Sequence, residues 1–248
     1  MKSLLLLCLL FVYGISTAQN SYVNFGYGYN VFKYHSHRNV NIDIIGSDFS
    51  ATGYKIDVTD VNLSKGVFFN LNYGYRIYND FFLDLKYTRF FGSETEIKGI
   101  TDKSATELTY KSTSHLFTPG IIYKNVNEIV HPIVGLGLIV YKSEVEVKNR
   151  NEFITTYSGG WQIGIESQIG IEYNATSNIC VSFLLNYLNM EYKTDHMKVH
   201  DNLNGTEREY DLKDAYELKF SDPNSADITT ATFLLNTIGI SVGVSYLL

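Results

Sequence analysis

The sequence predicts an all-β chain, folded as an eight-stranded antiparallel up-and-down transmembrane β-barrel. Three observations carry this. Segments near the roughly 9–11 residues of a tilted crossing strand alternate apolar with small or polar residues, the period-two pattern of a strand with two unlike faces. The connections between these segments alternate strictly between long and short. No stretch after residue 18 approaches the ~18 uninterrupted apolar residues of a spanning helix, which leaves a closed barrel as the remaining way to satisfy the backbone in lipid.

Composition agrees. The 248 residues are 45% hydrophobic and 19% charged, which argues against disorder. Twenty Lys+Arg against 26 Asp+Glu give a net charge of −6, so a nucleic-acid binder is not expected. Aromatics make up 15%, with 20 Tyr and 15 Phe, residues favoured in strands and, for Tyr, at membrane–water boundaries.

Residues 1–18 read as a signal peptide. Lys2 is the charged start, Leu4 to Tyr13 the short apolar core, and Ser16-Thr17-Ala18 the small residues before a cut after Ala18. A lipoprotein signal at Cys8 is disfavoured, since Cys8 comes too early and follows four leucines. The mature domain is then 19–248, with Cys180 its one cysteine and no intrachain disulfide expected.

The first strand sets Val23, Phe25, Tyr27, Tyr29 and Val31 against Asn24, Gly26, Gly28 and Asn30. The second sets Val67 to Ile77 (odd positions) against Asn70, Asn72, Gly74 and Arg76. The third sets Phe81, Leu83, Leu85 and Tyr87 against Asp84, Lys86 and Thr88. Weaker patterns place a fourth at His115–Lys124 and a fifth at Pro132–Tyr141. Pro119 lacks a ladder donor, so an irregularity is expected there. The sixth runs from Trp161 to Tyr173 with Ile163, Ile165, Ile169 and Ile171 on one face. The seventh, Ile179–Tyr192, is weak; the eighth alternates clearly from Thr237 to Leu248.

The oily face is wide and aromatic, and the other carries Gly, Asn and Ser. Eight aromatic faces would overfill a small barrel, so the oily face is expected outward, unlike a soluble lipocalin-like barrel. Long connections at 33–65, 92–111, 143–158 and 194–230 face short ones at 79–80, 125–130 and 174–178. Outer-membrane barrels show this asymmetry. Val40–Ile44 and Tyr54–Val58 also alternate, and ten strands are the alternative; their shortness favours a hairpin standing above the barrel. Val145–Lys148 is expected to extend the fifth strand outward.

Polar side chains on the inward face define an interior network of Arg76, Asp84, Lys86, Glu166 and Glu172. Parity at the Tyr78–Asp80 turn sets Phe82 opposite Arg76 and Asp84 opposite Gly74, which makes Arg76 and Asp84 diagonal neighbours. A salt-bridge filling is the first reading, because buried charges need partners. An ion path is the second.

Ser241-x-Gly243-x-x-Tyr246-x-Leu248 closes the chain and is similar to the C-terminal signal that directs barrels to membrane insertion, with Leu in place of the usual Phe. With this tail and architecture, residues 19–248 resemble the small outer-membrane barrel superfamily, the OmpA/OmpX-like porin-family β-barrels. The resemblance implies a Gram-negative outer membrane, surrounding lipid and lipopolysaccharide, and folding by the barrel assembly machinery; because the sequence closes on its last strand, no soluble peptidoglycan-binding domain is expected after the barrel.

Two other function classes are set against an interaction barrel working through its outer loops. A narrow channel for small solutes needs a continuous interior or a wall gap near Pro119. A lipid A-modifying enzyme needs a His, a Ser and an acid together at the outer rim. The candidates are His35-Ser36-His37, Ser114-His115 and His196, and none forms a convincing motif. Neither an enzyme, a cofactor nor a metal site is therefore expected. The segment 194–230 has nine acidic and four basic residues but no regular calcium loop. The expected partner is a protein at the outer loops.

Overall fold

The computed structural model describes residues 21–33, 40–44, 54–58, 63–101, 104–149, 153–212 and 232–248. The expected signal peptide at 1–18 and His35, Ser36 and His37 lie outside the described residues. The strands are β1 (Ser21–Lys33), β2 (Val40–Ile44), β3 (Tyr54–Val58), β4 (Gly66–Tyr78), β5 (Phe81–Gly92), β6 (Thr95–Thr101), β7 (Ser104–Lys124) and β8 (Val130–Asn149). They continue with β9 (Phe153–Ser158), β10 (Gln162–Asn174), β11 (Ile179–Asn189), β12 (Glu191–Lys193), β13 (His196–Asp201), β14 (Thr206–Asp211), β15 (Thr232–Leu234) and β16 (Thr237–Leu247).

Eight of these close an antiparallel barrel in the order β1-β4-β5-β7-β8-β10-β11-β16, with β16 returning to β1. β2 and β3 pair with each other in a separate two-stranded sheet, so the ten-strand alternative is not adopted. Five residues each, at ~3.3 Å per residue, are too few to cross beside strands of eleven or more.

Much of two expected connections is strand, including Val145–Lys148, which extends the fifth crossing strand as expected. β7 has 21 residues and β8 has 20, so most of 92–111 and the start of 143–158 continue the ladder beyond the barrel. The cause is that the alternation persists with a changed exterior. Tyr110, Val145 and Val147 stay buried while Lys142 and Glu144 are exposed. β9, β13 and β14 extend this projecting sheet, and β6 pairs with the far end of β7.

At the opposite end, β4 and β5 meet in a tight turn at Asn79 and Asp80, with Asn79 in the left-handed region at φ 44°. The parity prediction holds: Arg76 faces Phe82 and Gly74 faces Asp84. Ile77 is the extra residue, and the register shifts there by a bulge. The β7–β8 ladder skips Thr118 and Pro119 between Phe117 and Gly120, as a residue without N–H requires.

Odd positions of β1, β4 and β5 point out, and so do their counterparts around the ring. On β8 every outward residue from Val130 to Val140 is apolar. Ten steps of ~3.3 Å at a tilt of ~40° make a belt about 25 Å tall. Tyr75, Tyr78, Tyr173 and Tyr246 line its turn end; Tyr27, Phe69, Phe91 and Trp161 line the other.

The inward face is filled. A Cβ on Gly74 would overlap the Tyr22 ring, and one on Gly28 the Phe68 ring. These glycines are the space that the inward aromatics occupy. The lower half of the interior is polar, but the upper half is not the expected Gly, Asn and Ser lining. Phe68, Phe90, Leu116, Leu188, Met190 and Leu235 form one apolar cluster that continues into the projecting sheet through Tyr110, Tyr141, Tyr157 and Tyr192. The weak strands supply much of it, because β7, β8 and β11 carry apolar residues on both faces.

Candidate functional site

The interior charges form two clusters. Near mid-height, Lys86 of β5 reaches across the lumen and pairs with Glu166 of β10. Gln168 Oε1 lies 3.4 Å from the same ammonium. Both charged groups are about 95% buried. Nearer the turn end, Lys124 Nζ lies 3.2 Å from Glu172 Oε1, and His131 Nε2 lies 3.0 Å from the same oxygen. Ser245 Oγ donates to Glu172 Oε2 at 3.1 Å and accepts from Asn24 Nδ2 at 2.8 Å. Lys124 also sits 3.5 Å above the Tyr22 ring, a cation–π contact that links the cluster to its neighbour.

That neighbour is Asp84. It accepts from Tyr22 Oη at 2.5 Å and from Asn72 Nδ2 at 3.4 Å. The expected Arg76–Asp84 contact does not form. The Arg76 guanidinium lies 5.2 Å from the Phe82 ring, and its Nε has no hydrogen-bond partner among the described residues. Arg76 faces Phe82 at the mouth, beside the bulge, and stacks on that ring instead of reaching diagonally. Of the five expected residues, Lys86 and Glu166 meet directly, while Asp84 and Glu172 take partners not foreseen. Lys124 of β7 and His131 of β8 flank the short turn between these strands, and their inward parity was hidden because the neighbouring inward residues Ile122 and Ile133 are apolar like the outward ones.

The lumen is interrupted. A cavity of about 20 Å³ lies between the Lys86–Glu166 pair and the apolar cluster. Another of about 10 Å³ lies between Asp84, Gln168 and the wall at Gly120 and Gly137. Each has room for about one water, whose requirement is of order 10–15 Å³.

The tail residues have structural places. Ser241 Oγ accepts from Asn186 Nδ2 at 2.9 Å, Gly243 gives room to Asn24 and Ser182, and Tyr246 is exposed on the belt. Leu248 N–H donates to Ser21 O at 2.9 Å.

The described rim histidines, His115 and His196, bond to groups other than serine. Ser114 and His115 are adjacent on β7 and therefore face opposite sides of the wall. Ser114 Oγ shares a 2.7 Å hydrogen bond with Ser143 inside, while His115 Nδ1 lies 2.7 Å from Tyr87 Oη outside. His196 faces Ser158 in register, but its Nδ1 is 2.8 Å from Asp211 and its Nε2 is 3.5 Å from Asp195. Both ring nitrogens thus face carboxylates. No group of three metal-ligating side chains gathers among the described residues.

Comparison with protein-family models and with curated proteins gives no match. Solved structures do match. A major outer membrane protein from Thermus thermophilus aligns over 91% of this chain and 98% of its own, at 11% identity and a TM-score of 0.50. OprG from Pseudomonas aeruginosa aligns over 92% and 96%, at 11% identity and 0.47. Neisserial surface protein A aligns over 92% and 97%, at 16% identity and 0.41. The likeness is one of fold, the closed antiparallel barrel.

Proposed function

We propose that this barrel spans an outer membrane, carries no open pore, and acts by presenting its projecting β-sheet to a partner outside the cell. The observation that carries the membrane reading is the apolar belt, about 25 Å tall between two sets of aromatic side chains and interrupted on β10 by Ser167. Soluble monomers rarely expose apolar patches beyond a few hundred Å². The tail residues Ser241, Gly243, Tyr246 and Leu248 fit an insertion signal read by the barrel assembly machinery, and residues 1–18 an export signal.

The closed interior supports a structural or interaction role over a channel. The buried Lys86–Glu166 pair and the apolar cluster above it stack two barriers across the lumen. The sheet of β8, β9, β13 and β14 then supplies what a loop cannot: a rigid surface with an edge. Among the described residues β14 is paired on one side only. Its Glu207, Arg208, Glu209 and Asp211 favour a partner strand of matched charge and disfavour chance pairing. Catalysis forms no part of this reading; among the described residues His115 and Ser114 face opposite sides of the wall, and both ring nitrogens of His196 face carboxylates.

The test has two arms. Refolded protein, shown folded by its unboiled gel mobility, is placed in planar bilayers; silence is expected, and reproducible discrete conductance steps would overturn the closed-barrel reading. Cells displaying the protein are then compared with cells whose 196–211 hairpin is replaced by a short turn. Attachment should fall with the barrel still folded. Equal attachment removes the role given to the sheet.

A further inference from the structure

Three bases stand in one row on the outer wall. Arg89 of β5 faces His115 of β7, and His115 faces Lys142 of β8, each pair directly in register. The row lies where the apolar belt ends and the projecting strands begin. Below it Tyr87, Phe117 and Trp161 form a continuous aromatic floor, with ring centroids 5.0 Å apart for Tyr87–Phe117 and 5.7 Å for Phe117–Trp161. Tyr87, His115, Phe117, Lys142 and Trp161 together line an open recess of about 500 Å³.

Arg89 and Lys142 thus place two cationic side chains on either side of His115, one strand to each side of it. Among the described residues neither Arg89 nor Lys142 forms an ion pair, and Arg89 lies over the Phe91 ring at 5.2 Å. Glu144 is exposed two residues further along β8. The row therefore keeps positive charge at the boundary between an apolar wall and water.

We infer that the Arg89–His115–Lys142 row and its aromatic floor bind the phosphate-bearing head group of a membrane lipid, resting on the membrane-barrel reading above. The guanidinium and the ammonium take the phosphate by charge-assisted hydrogen bonds. His115 Nδ1 is already engaged by Tyr87, so Nε2 is its remaining polar atom. The acyl chains lie down the wall along Phe117, Val140 and Ile163, which are outward and apolar. A free phosphate uses only the upper half of this site; a lipid uses both halves. That complementarity selects the lipid.

Trp161 is the chain's single tryptophan and lines the recess, so its emission reports on the site. The refolded mature protein in zwitterionic micelles is titrated with bisphosphorylated lipid A, with the same lipid stripped of phosphate, and with inorganic phosphate. A saturable change is expected with the first, about tenfold weaker binding or more with the second, and no change with the third. The double variant Arg89→Gln, Lys142→Gln should weaken the first by about tenfold and leave the second unchanged. Equal binding of the two lipids, an unaffected variant, or an equal response to inorganic phosphate each overturns the assignment. Failure of the membrane reading shows separately, as a barrel that does not insert into phosphocholine vesicles.

Discussion

The Lys86 ammonium meets the Glu166 carboxylate inside the barrel, from strands that are three places apart in the ring. Both side chains are buried away from bulk solvent. Removing one partner strands the other, at a cost of about 3–5 kcal/mol, whereas replacing both by apolar residues of similar size is often neutral. Lys86→Met and Glu166→Leu should each lower the urea midpoint of the refolded barrel strongly. The double variant should recover most of the loss. Additive losses in the double-mutant cycle would show that the two groups act independently.

Asp84 depends on Tyr22 where the sequence suggested Arg76. Tyr22→Phe leaves a buried carboxylate one donor short, which typically costs about 1–3 kcal/mol. Arg76→Ala removes only a stacking contact at the mouth and should cost under about 1 kcal/mol. Equilibrium unfolding of both variants ranks them, and a larger loss at Arg76 contradicts the geometry.

Tyr192 is buried at the base of the projecting sheet, outside the spanning strands, and burial pushes its phenol up from 10 to about 12. A group whose pKa is raised on folding adds stability that is whole below the unfolded value and is lost as pH rises through the folded one. The sheet should therefore loosen between about pH 10 and 12 while the barrel persists. Tyrosinate absorbance and amide exchange in the 190–212 segment follow it. Tyr192→Phe should move the onset upward; an unmoved onset assigns the transition to another tyrosine.

Gly74 and Tyr22 share one space, as do Gly28 and Phe68. Gly74→Val forces the Tyr22 ring off its contact with Asp84, and such overpacking costs about 1–3 kcal/mol. Adding Tyr22→Ala to Gly74→Val should relieve the clash but not restore the hydrogen bond. Thermal unfolding in detergent reads both steps, and a stable single variant would mean that the ring has room to move.

The eight crossing strands were legible because period-two alternation survives wherever one face is small and the other oily, as in β1, β4 and β16. β7, β8 and β11 mix apolar residues such as Leu116, Ile139 and Leu188 with small and polar ones on the inward face, so their inward phase was blurred and the apolar upper interior with it. The Arg76 mismatch arose differently. Register placed it correctly opposite Phe82, but rotamer choice decided between Asp84 and the ring, and register carries no information on that. Lys124 and His131 were missed because the turn-flanking ends of weak strands reveal no parity. Lys86 and Glu166 were found because each sits mid-strand among clear alternation.

The barrel closes through a ladder between its first and last crossing strands, where Asn24 and Ser245 bond across 221 positions of sequence. The other neighbours in the ring are hairpin partners. Each of those ladders joins strands that follow one another around the ring in chain order. The β1–β16 ladder cannot exist until the last crossing strand is in place, so a chain lacking that strand keeps two unpaired edges and no inside. Closing that seam joins the two ends of the sequence, the longest loop closure in the barrel, and leaves no edge for another chain to pair with.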